Sequence, residues 1–201
     1  AGAGAEEIGR WLSGRSLAVP GLDTTAYLVL RLAVGAAPAG RVVPTVFHDV
    51  PGMVARGEAD AGLLIHDAQL TYGTYGLREM LDLGGWWLEE TGLPLPLGGN
   101  AVRRDLDERF GTGSVEEVGE LLSRSVRHAV GHREEGLRRI APMTVGIERA
   151  TLERYLDMYV SGLTVSAGRA GRASIEALLR RGYEAGLGPD PGVIDMVGGD
   201  D

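Results

Sequence analysis

Cysteine is absent from this chain of 201 residues, aromatic side chains are scarce, and no long apolar run occurs. Without cysteine there is no disulfide, no thiolate nucleophile and no cysteine-bound zinc. The apolar runs fall short of the ~20 residues that cross a membrane, and no secretion signal is visible. These absences lead us to expect a cytoplasmic protein with no membrane association.

Positive charge is also in short supply. Lys and Arg together number 20 against 28 Asp and Glu, which leaves a formal net charge of −8. A nucleic-acid surface needs a basic face that neutralises phosphates, so we expect no nucleic-acid partner. The hydrophobic fraction of 44% is instead typical of a globular protein, here long enough for one large domain or two small lobes.

The first half of the chain predicts a layered α/β arrangement. Apolar segments of strand length occur at residues 16–21, 42–47 and 61–65. Helical patterns separate them, and the order βαβαβ predicts a parallel sheet with right-handed crossovers. A final strand is predicted at residues 100–103.

The rest of the chain is predicted to be helical. Ser114 and Glu117 have the spacing of a capping box, and amphipathic patterns follow at residues 148–163 and 173–185. The predicted organisation is a linker remnant at 1–15, an α/β lobe at 16–110, a helical region packing on both lobes at 111–185, and a mobile tail at 186–201.

His66 is the first candidate for chemistry. It follows the apolar run 62–65, where a buried strand should break into a loop, and ligands of layered α/β proteins gather at such points. A histidine there could serve as a general base, with Asp67 orienting its ring. Many histidines at strand ends simply hydrogen-bond a loop carbonyl, and Asp67 could merely cap the segment after it.

The turn into the first predicted helix is a second candidate. Thr24 and the aspartate before it are candidate N-caps of a helix that runs to Val34 and ends at Gly35. The N–H groups at Thr24, Thr25 and Ala26, together with the positive end of the helix dipole, favour a carboxylate or phosphate. Ordinary capping explains the same residues equally well.

The remaining aromatic and histidine residues predict no further site. Trp86 and Trp87 are typical of packing rather than of a stacking platform. His128 and His132 have the i, i+4 spacing that metal sites use, but the intervening residues include no catalytic glutamate, and a solvated helix face explains them better. His48 receives no role, and we expect no metal site.

Several segments of the chain together resemble one known family, the 1,4-dihydroxy-6-naphthoate synthases of the futalosine route to menaquinone. The segments are Leu17-Ala18-Val19-Pro20-Gly21, Thr24-Thr25-Ala26-Tyr27, Ile65-His66-Asp67, Leu70-Thr71-Tyr72, Asp82-Leu83-Gly84-Gly85-Trp86-Trp87, Thr91-Gly92-Leu93-Pro94-Leu95-Pro96-Leu97-Gly98 and Arg103-Arg104-Asp105-Leu106. The Leu-Pro-Leu-Pro-Leu-Gly run between a tryptophan pair and Arg-Arg-Asp-Leu is highly specific.

The resemblance implies a fold, a reaction and site residues. The fold is two-lobed, similar to type II periplasmic binding proteins, with one lobe complete here and the C-terminal helices of the other. The family converts cyclic dehypoxanthinyl futalosine to 1,4-dihydroxy-6-naphthoate and releases a sugar-derived fragment, without metal or organic cofactor. The family's catalytic base falls on His66 and its substrate-binding Thr-Ala pair on Thr25 and Ala26. We expect a monomer or weak homodimer.

The chain also departs from the family pattern. Family members carry a further N-terminal segment that builds part of a lobe and contacts substrate. Where their motif reads Ile-His-Glu, this chain has Asp67 in place of the glutamate. We therefore expect an N-terminally incomplete synthase with exposed apolar surface where that segment would pack. The alternatives are a non-catalytic two-lobed protein that binds a small anion, the sister enzyme chorismate dehydratase, and a purely structural or interaction protein.

Overall fold

The computed structural model describes residues 4–143 and 148–197. It has a mixed α/β fold with a small parallel sheet and many helices. The chain forms two compact units. One consists of the chain up to Leu97 together with Ala173–Gly192, and the other of Gly98–Arg172 together with the chain from Val193 onward. Residues 1–3 of the predicted linker and 198–201 of the predicted tail lie outside the described residues, as do residues 144–147.

The first unit contains the sheet and the helices around it. Its elements are α1 (Ala5–Leu12), β1 (Ser16–Val19), α2 (Thr25–Val34), β2 (Arg41–Pro44), α3 (Val50–Ala55), β3 (Ala61–Gly62), α4 (Ala68–Thr71), a 3-10 turn (Tyr72–Tyr75), α5 (Leu83–Thr91) and the second half of α11 (Gly168–Glu184). The predicted alternation of strands and helices and the predicted helix after β1 are confirmed.

The three strands are parallel in the order β2-β1-β3, as the βαβαβ pattern predicts. Leu17 pairs with Val42 on one side and with Ala61 on the other. Strand β3 is shorter than its apolar run predicts. Leu63 N still donates to Ala18 O at 2.8 Å, but the chain leaves the sheet before His66, whose backbone is left-handed.

Side chains of β1 alternate between two cores, as the period of a strand requires. Leu17 and Val19 lie in a cluster with residues of α1 and α2, whereas Ala18 lies in a cluster with Val50 and Ala59. Helices therefore cover both faces of the central strand. Helix α3 packs closely against β3 at Gly62, since a Cβ added there would lie only 2.6 Å from Val50 Cγ1.

Helix α1 corrects the prediction of a linker at the start of the chain. Its Ile8 and Leu12 are only 3% exposed and belong to the same core as β1. Gly9 permits this packing, because a Cβ there would lie 2.5 Å from the backbone oxygen of Val34 at the end of α2. The small residues around α1 give the segment the composition of a linker, although the helix itself packs in the core.

A third core holds the tryptophan pair and the proline-rich segment. Trp87 is fully buried against Val29 and Leu178. Its Nε1–H donates to Ser174 Oγ at 3.3 Å, and the Ser174 hydroxyl donates to the backbone oxygen of Pro94. This chain of hydrogen bonds ties α5 and the extended segment after it to α11. The prediction that the tryptophans serve packing is confirmed.

The second unit is helical in its described part. Its elements are α6 (Leu106–Phe110), α7 (Ser114–Gly131), α8 (Arg133–Ile140), a 3-10 turn (Ala141–Met143), α9 (Arg149–Tyr159), α10 (Gly162–Val165) and the start of α11. No strand forms at residues 100–103, so that prediction was wrong. The capping box at Ser114 was also wrong, because Gly113, with φ of 95°, is the N-cap and the Ser114 hydroxyl donates to Gly111 O at 2.7 Å.

The predicted helix at 148–163 is broken in two. Helix α9 ends before Val160, which has extended backbone, and Ser161 starts α10 with a capping box that also involves Thr164. Across the described ranges, none of the helices is long and apolar enough to cross a membrane.

Candidate active site

Three loops leave the sheet at one common edge. Because β1, β2 and β3 are parallel, their carboxyl ends lie together, and such an edge is where layered α/β proteins bind ligands. The turn into α2 follows β1, the Phe47 loop follows β2, and the His66 loop follows β3. His66 therefore lies on this edge, in the loop after β3, although the strand ends at Gly62 and not directly before the histidine as the sequence predicts.

The backbone of His66 is unusual for a residue with a side chain. Its φ of 61° is the only positive value at a non-glycine residue in the described part of the chain. A left-handed conformation costs roughly 1–2 kcal/mol for a residue with a Cβ, and such strain clusters at functional sites. The His66 side chain is 47% exposed.

Asp67 defines which imidazole nitrogen carries the proton. His66 Nδ1 lies 2.9 Å from Asp67 Oδ1. A carboxylate only accepts hydrogen bonds, so Nδ1–H is the donor in the neutral ring and Nε2 carries the lone pair. A neutral imidazole with its lone pair on Nε2 is a form in which histidine can accept a proton. Asp67 contacts this ring and makes no side-chain capping hydrogen bond to the helix that follows it.

The start of α2, after β1, contains a hydroxyl that caps the helix and N–H groups that precede its first hydrogen bond. Thr24 is the N-cap of α2: its Oγ1 accepts from Tyr27 N at 3.2 Å and donates to Gly21 O at 3.0 Å. Its hydroxyl is therefore engaged within the protein, as ordinary capping requires. The N–H groups of Thr25 and Ala26 precede the first intrahelical bond, from Leu28 N to Thr24 O, and they point out of the helix end.

His66 and the Thr25–Ala26 pair are related by the strand order. They follow the adjacent strands β3 and β1, and both lie at the carboxyl edge. An anionic group held by the helix N-terminus and a base beside it are the two elements that proton abstraction from a carboxylated substrate needs.

Phe47 is a residue of this edge that the sequence did not single out. Its ring centroid lies 5.1 Å from that of His66, at an interplanar angle of 44°, which is within the range of favourable aromatic pairs. The sequence signal was an aromatic residue directly after a predicted strand. Its partner could not be read from the chain, because the contact joins loops 19 residues apart in sequence.

Other polar clusters do not extend the site. The rings of His128 in α7 and His132, the C-cap of α7, stack with centroids 4.0 Å apart, and His132 Nδ1 lies 2.8 Å from His128 O. Both residues are exposed, which agrees with a helix-surface interpretation. Within residues 4–143 and 148–197, no group of three or more metal-ligating side chains comes together. His48 is exposed and lies 3.6 Å from Asp49 Oδ1.

The chain is similar to known proteins over most of its length. It matches the menaquinone biosynthesis family over residues 5–184. It is 38% identical to a 1,4-dihydroxy-6-naphthoate synthase of Thermus thermophilus and 36% identical to one of Streptomyces coelicolor, over 90% and 89% of its own length. It spans 64% and 63% of those two proteins, which is less than two thirds of each.

A solved structure supports the same relationship. The fold matches the crystal structure of a protein from Archaeoglobus fulgidus with a TM-score of 0.79 and 36% sequence identity. The match covers 92% of this chain and 66% of the other.

The structure is that of a mixed α/β protein whose parallel strands carry three loops at their carboxyl edge, where layered α/β proteins bind ligands. With the family matched over residues 5–184 and two relatives at 36–38% identity, the chain belongs to the menaquinone biosynthesis family. The resemblance seen in its sequence motifs is thereby confirmed.

Proposed function

We propose that this chain carries the base and part of the substrate site of a 1,4-dihydroxy-6-naphthoate synthase. The reaction is the carbon–carbon lyase step that converts cyclic dehypoxanthinyl futalosine to 1,4-dihydroxy-6-naphthoate. The observation that carries the proposal is His66, held in a left-handed backbone and hydrogen-bonded through Nδ1 to Asp67. The names of the two curated relatives, which state the naphthoate product, support the reaction.

In the proposed reaction His66 Nε2 takes a proton from the bound substrate. The electron pair left behind opens the ring and breaks a carbon–carbon bond, which releases the sugar-derived fragment and leaves the naphthoate. The imidazolium that forms is stabilised by Asp67 through Nδ1–H, 2.9 Å from the carboxylate oxygen. The imidazolium then returns its proton to the products, which regenerates the base. No redox partner is needed, because only a proton and electron pairs move.

The substrate's carboxylate is assigned to the start of α2. The N–H groups of Thr25 and Ala26 and the helix dipole supply the positive potential that an anion needs. Thr24 contributes by shaping this turn, since its hydroxyl is already bonded to Gly21 O and Tyr27 N. The proposal includes a two-lobed fold similar to periplasmic binding proteins, catalysis without a cofactor, and a monomer or weak homodimer.

Turnover and binding together test the proposal. The protein is incubated with cyclic dehypoxanthinyl futalosine, and the naphthoate is quantified by mass spectrometry. We expect product from the wild type, and for His66→Ala a loss of kcat of roughly 100- to 10,000-fold, the contribution typical of a general base. His48→Ala is the matched control, because it is an exposed histidine of the same edge, and we expect turnover within about twofold of wild type.

The alternatives give different results in the same experiment. Saturable binding of the futalosine by the wild type with no product would identify a non-catalytic binding protein. Turnover of chorismate in place of the futalosine would identify the sister dehydratase. Full activity of His66→Ala would refute the assigned base.

A further inference from the structure

One aromatic contact joins the loops that follow the two outer strands of the sheet. Phe47 follows β2 and His66 follows β3, and these strands flank β1 on opposite sides. The two rings nevertheless meet, with centroids 5.1 Å apart. The same face of the edge carries His48, whose ring stands edge-on to Phe47 at 5.4 Å and 81°. The Phe47 ring therefore contacts two imidazoles, of which only that of His66 belongs to a residue with a left-handed backbone.

We propose that Phe47 is a positioning residue that fixes the orientation of the His66 imidazole. The inference rests on the proposed function, in which His66 is the base. The bond from Nδ1 to Asp67 joins the ring to the side chain of the next residue, and because both side chains are partly exposed, the pair can still move together. Contact with a second aromatic ring at a defined tilt removes this freedom. Together the two contacts fix where Nε2 points.

Positioning of this kind affects the chemical step rather than substrate affinity. A base must lie within hydrogen-bond reach of the proton that it abstracts, and misplacement by about 1 Å can cost roughly 100-fold in rate. For Phe47→Leu we expect kcat to fall by about tenfold, an effect comparable with the loss of one aromatic pair, whereas KM should stay within about twofold. Phe47→Tyr keeps the ring and should recover most of the wild-type kcat.

The chain offers a matched control for this substitution. It contains two phenylalanines, and the second, Phe110, is 68% exposed at the end of α6, with the Arg109 guanidinium 5.1 Å from its ring centroid. Phe110→Leu removes the same ring from a site unrelated to His66, so kcat and KM should both stay at wild-type values.

Nuclear magnetic resonance tests the contact independently of turnover. The four histidines give four sets of ring-proton signals. Phe47→Leu should move the His66 and His48 signals through loss of the aromatic ring current and should average the His66 side-chain couplings over more than one rotamer. Phe110→Leu should leave the His66 signals in place, and Phe47→Tyr should retain a single His66 rotamer.

The outcomes separate the inference from the proposed function. If Phe47→Leu leaves the His66 rotamer and kcat unchanged, or raises KM alone, Phe47 does not position the base and the inference is overturned. If His66→Ala is fully active but Phe47→Leu still releases the His66 ring, the proposed function fails while the positioning contact stands. A lower kcat together with a mobile His66 ring, both recovered in Phe47→Tyr, supports the inference.

Discussion

At the scale of single residues, His66 combines an unusual backbone with a specific side-chain contact. Its φ is 61°, and its Nδ1 lies 2.9 Å from Asp67 Oδ1. Glycine would occupy the same backbone without strain, so the histidine is there at a cost in stability. A residue whose conformation opposes stability and whose chemistry suits proton transfer is more simply explained by function than by packing.

The cost of the His66 backbone can be measured with two substitutions. His66→Ala and His66→Gly both remove the side chain, and they differ in how well they tolerate a φ of 61°. We expect the glycine variant to be more stable by about 1 kcal/mol. The free energies of unfolding are measured by urea titration.

The same pair of substitutions at Ser125, an exposed residue within α7, provides the control. Alanine should be the more stable residue there by up to about 1 kcal/mol, because glycine is unfavourable inside a helix. If the His66→Ala variant equalled or exceeded the His66→Gly variant in stability, the left-handed turn would be absent in solution.

At the scale of elements, helix boundaries could be predicted from the sequence, whereas close contacts between elements could not. Thr24 and Gly35 bound α2 where capping and helix-stop rules place them, because these rules depend on neighbouring residues. Gly113 displaced Ser114 as a cap, since its left-handed backbone ends the preceding turn. The packing of α1 depends on Gly9 meeting the backbone of another helix, and the sequence cannot show which surface a glycine approaches.

Only part of the candidate site could likewise be predicted from the sequence. That His66 follows β3 could be predicted from the apolar run before it, but the strand is shorter than that run. The left-handed backbone of His66 and its contact with Phe47 could not be predicted, because both depend on where the loops meet. The sequence names Thr24 as a binding candidate, and the structure shows its hydroxyl bonded to Gly21 O and Tyr27 N.

The opposite, amino edge of the sheet is held by a carboxylate clamp that should depend on pH. Ser16 donates to Asp60 Oδ2 through its N–H at 2.8 Å and its hydroxyl at 2.7 Å, and this pairs the starts of β1 and β3. The backbone N–H of Ser16 is the main cause that lowers the pKa of Asp60 below its ordinary value of 3.8, and the Ser16 hydroxyl and the charges of Arg15 and Arg41 add to it.

The sign of the pH effect follows from that shift. A carboxyl whose pKa is lower in the folded state stabilises the fold at pH above its unfolded value, and this contribution is lost as the pH falls through the folded pKa. We expect Asp60→Asn to lower the urea midpoint at pH 5 to 7 and to differ less from wild type as the pH falls below about 4.

A second variant links this effect to the clamp. In a Ser16→Ala background, the pH-dependent effect of Asp60→Asn should shrink without vanishing, because the backbone N–H remains. A wild-type advantage over Asp60→Asn that is the same at pH 3 and pH 7 would contradict the clamp.

At the scale of the whole molecule, apolar burial is unequally divided between the two units. In the described part of the second unit, Val115, Leu137 and Leu152 are the buried apolar side chains, and the others belong to the first unit. Helix α7 keeps Leu121 58% and Leu122 42% exposed. Since local opening needs less free energy where fewer apolar groups are buried, the units should differ in their resistance to opening under native conditions.

Hydrogen exchange followed by mass spectrometry should show this difference. We expect amides of α7 to exchange at least about tenfold faster than those of α2, because their opening exposes far less apolar surface. Helix α11 contains its own control: its residues 168–172 belong to the second unit and residues 173–184 to the first, where Ser174 and Leu178 are buried. Protection should therefore rise along a single helix near residue 173.

Exchange is repeated at two protein concentrations, because self-association over the apolar side chains of α7 would slow its exchange only at the higher one. Equal protection of α7 and α2 at the lower concentration, with no step within α11, would mean that both units open together and that burial within each unit does not set its stability.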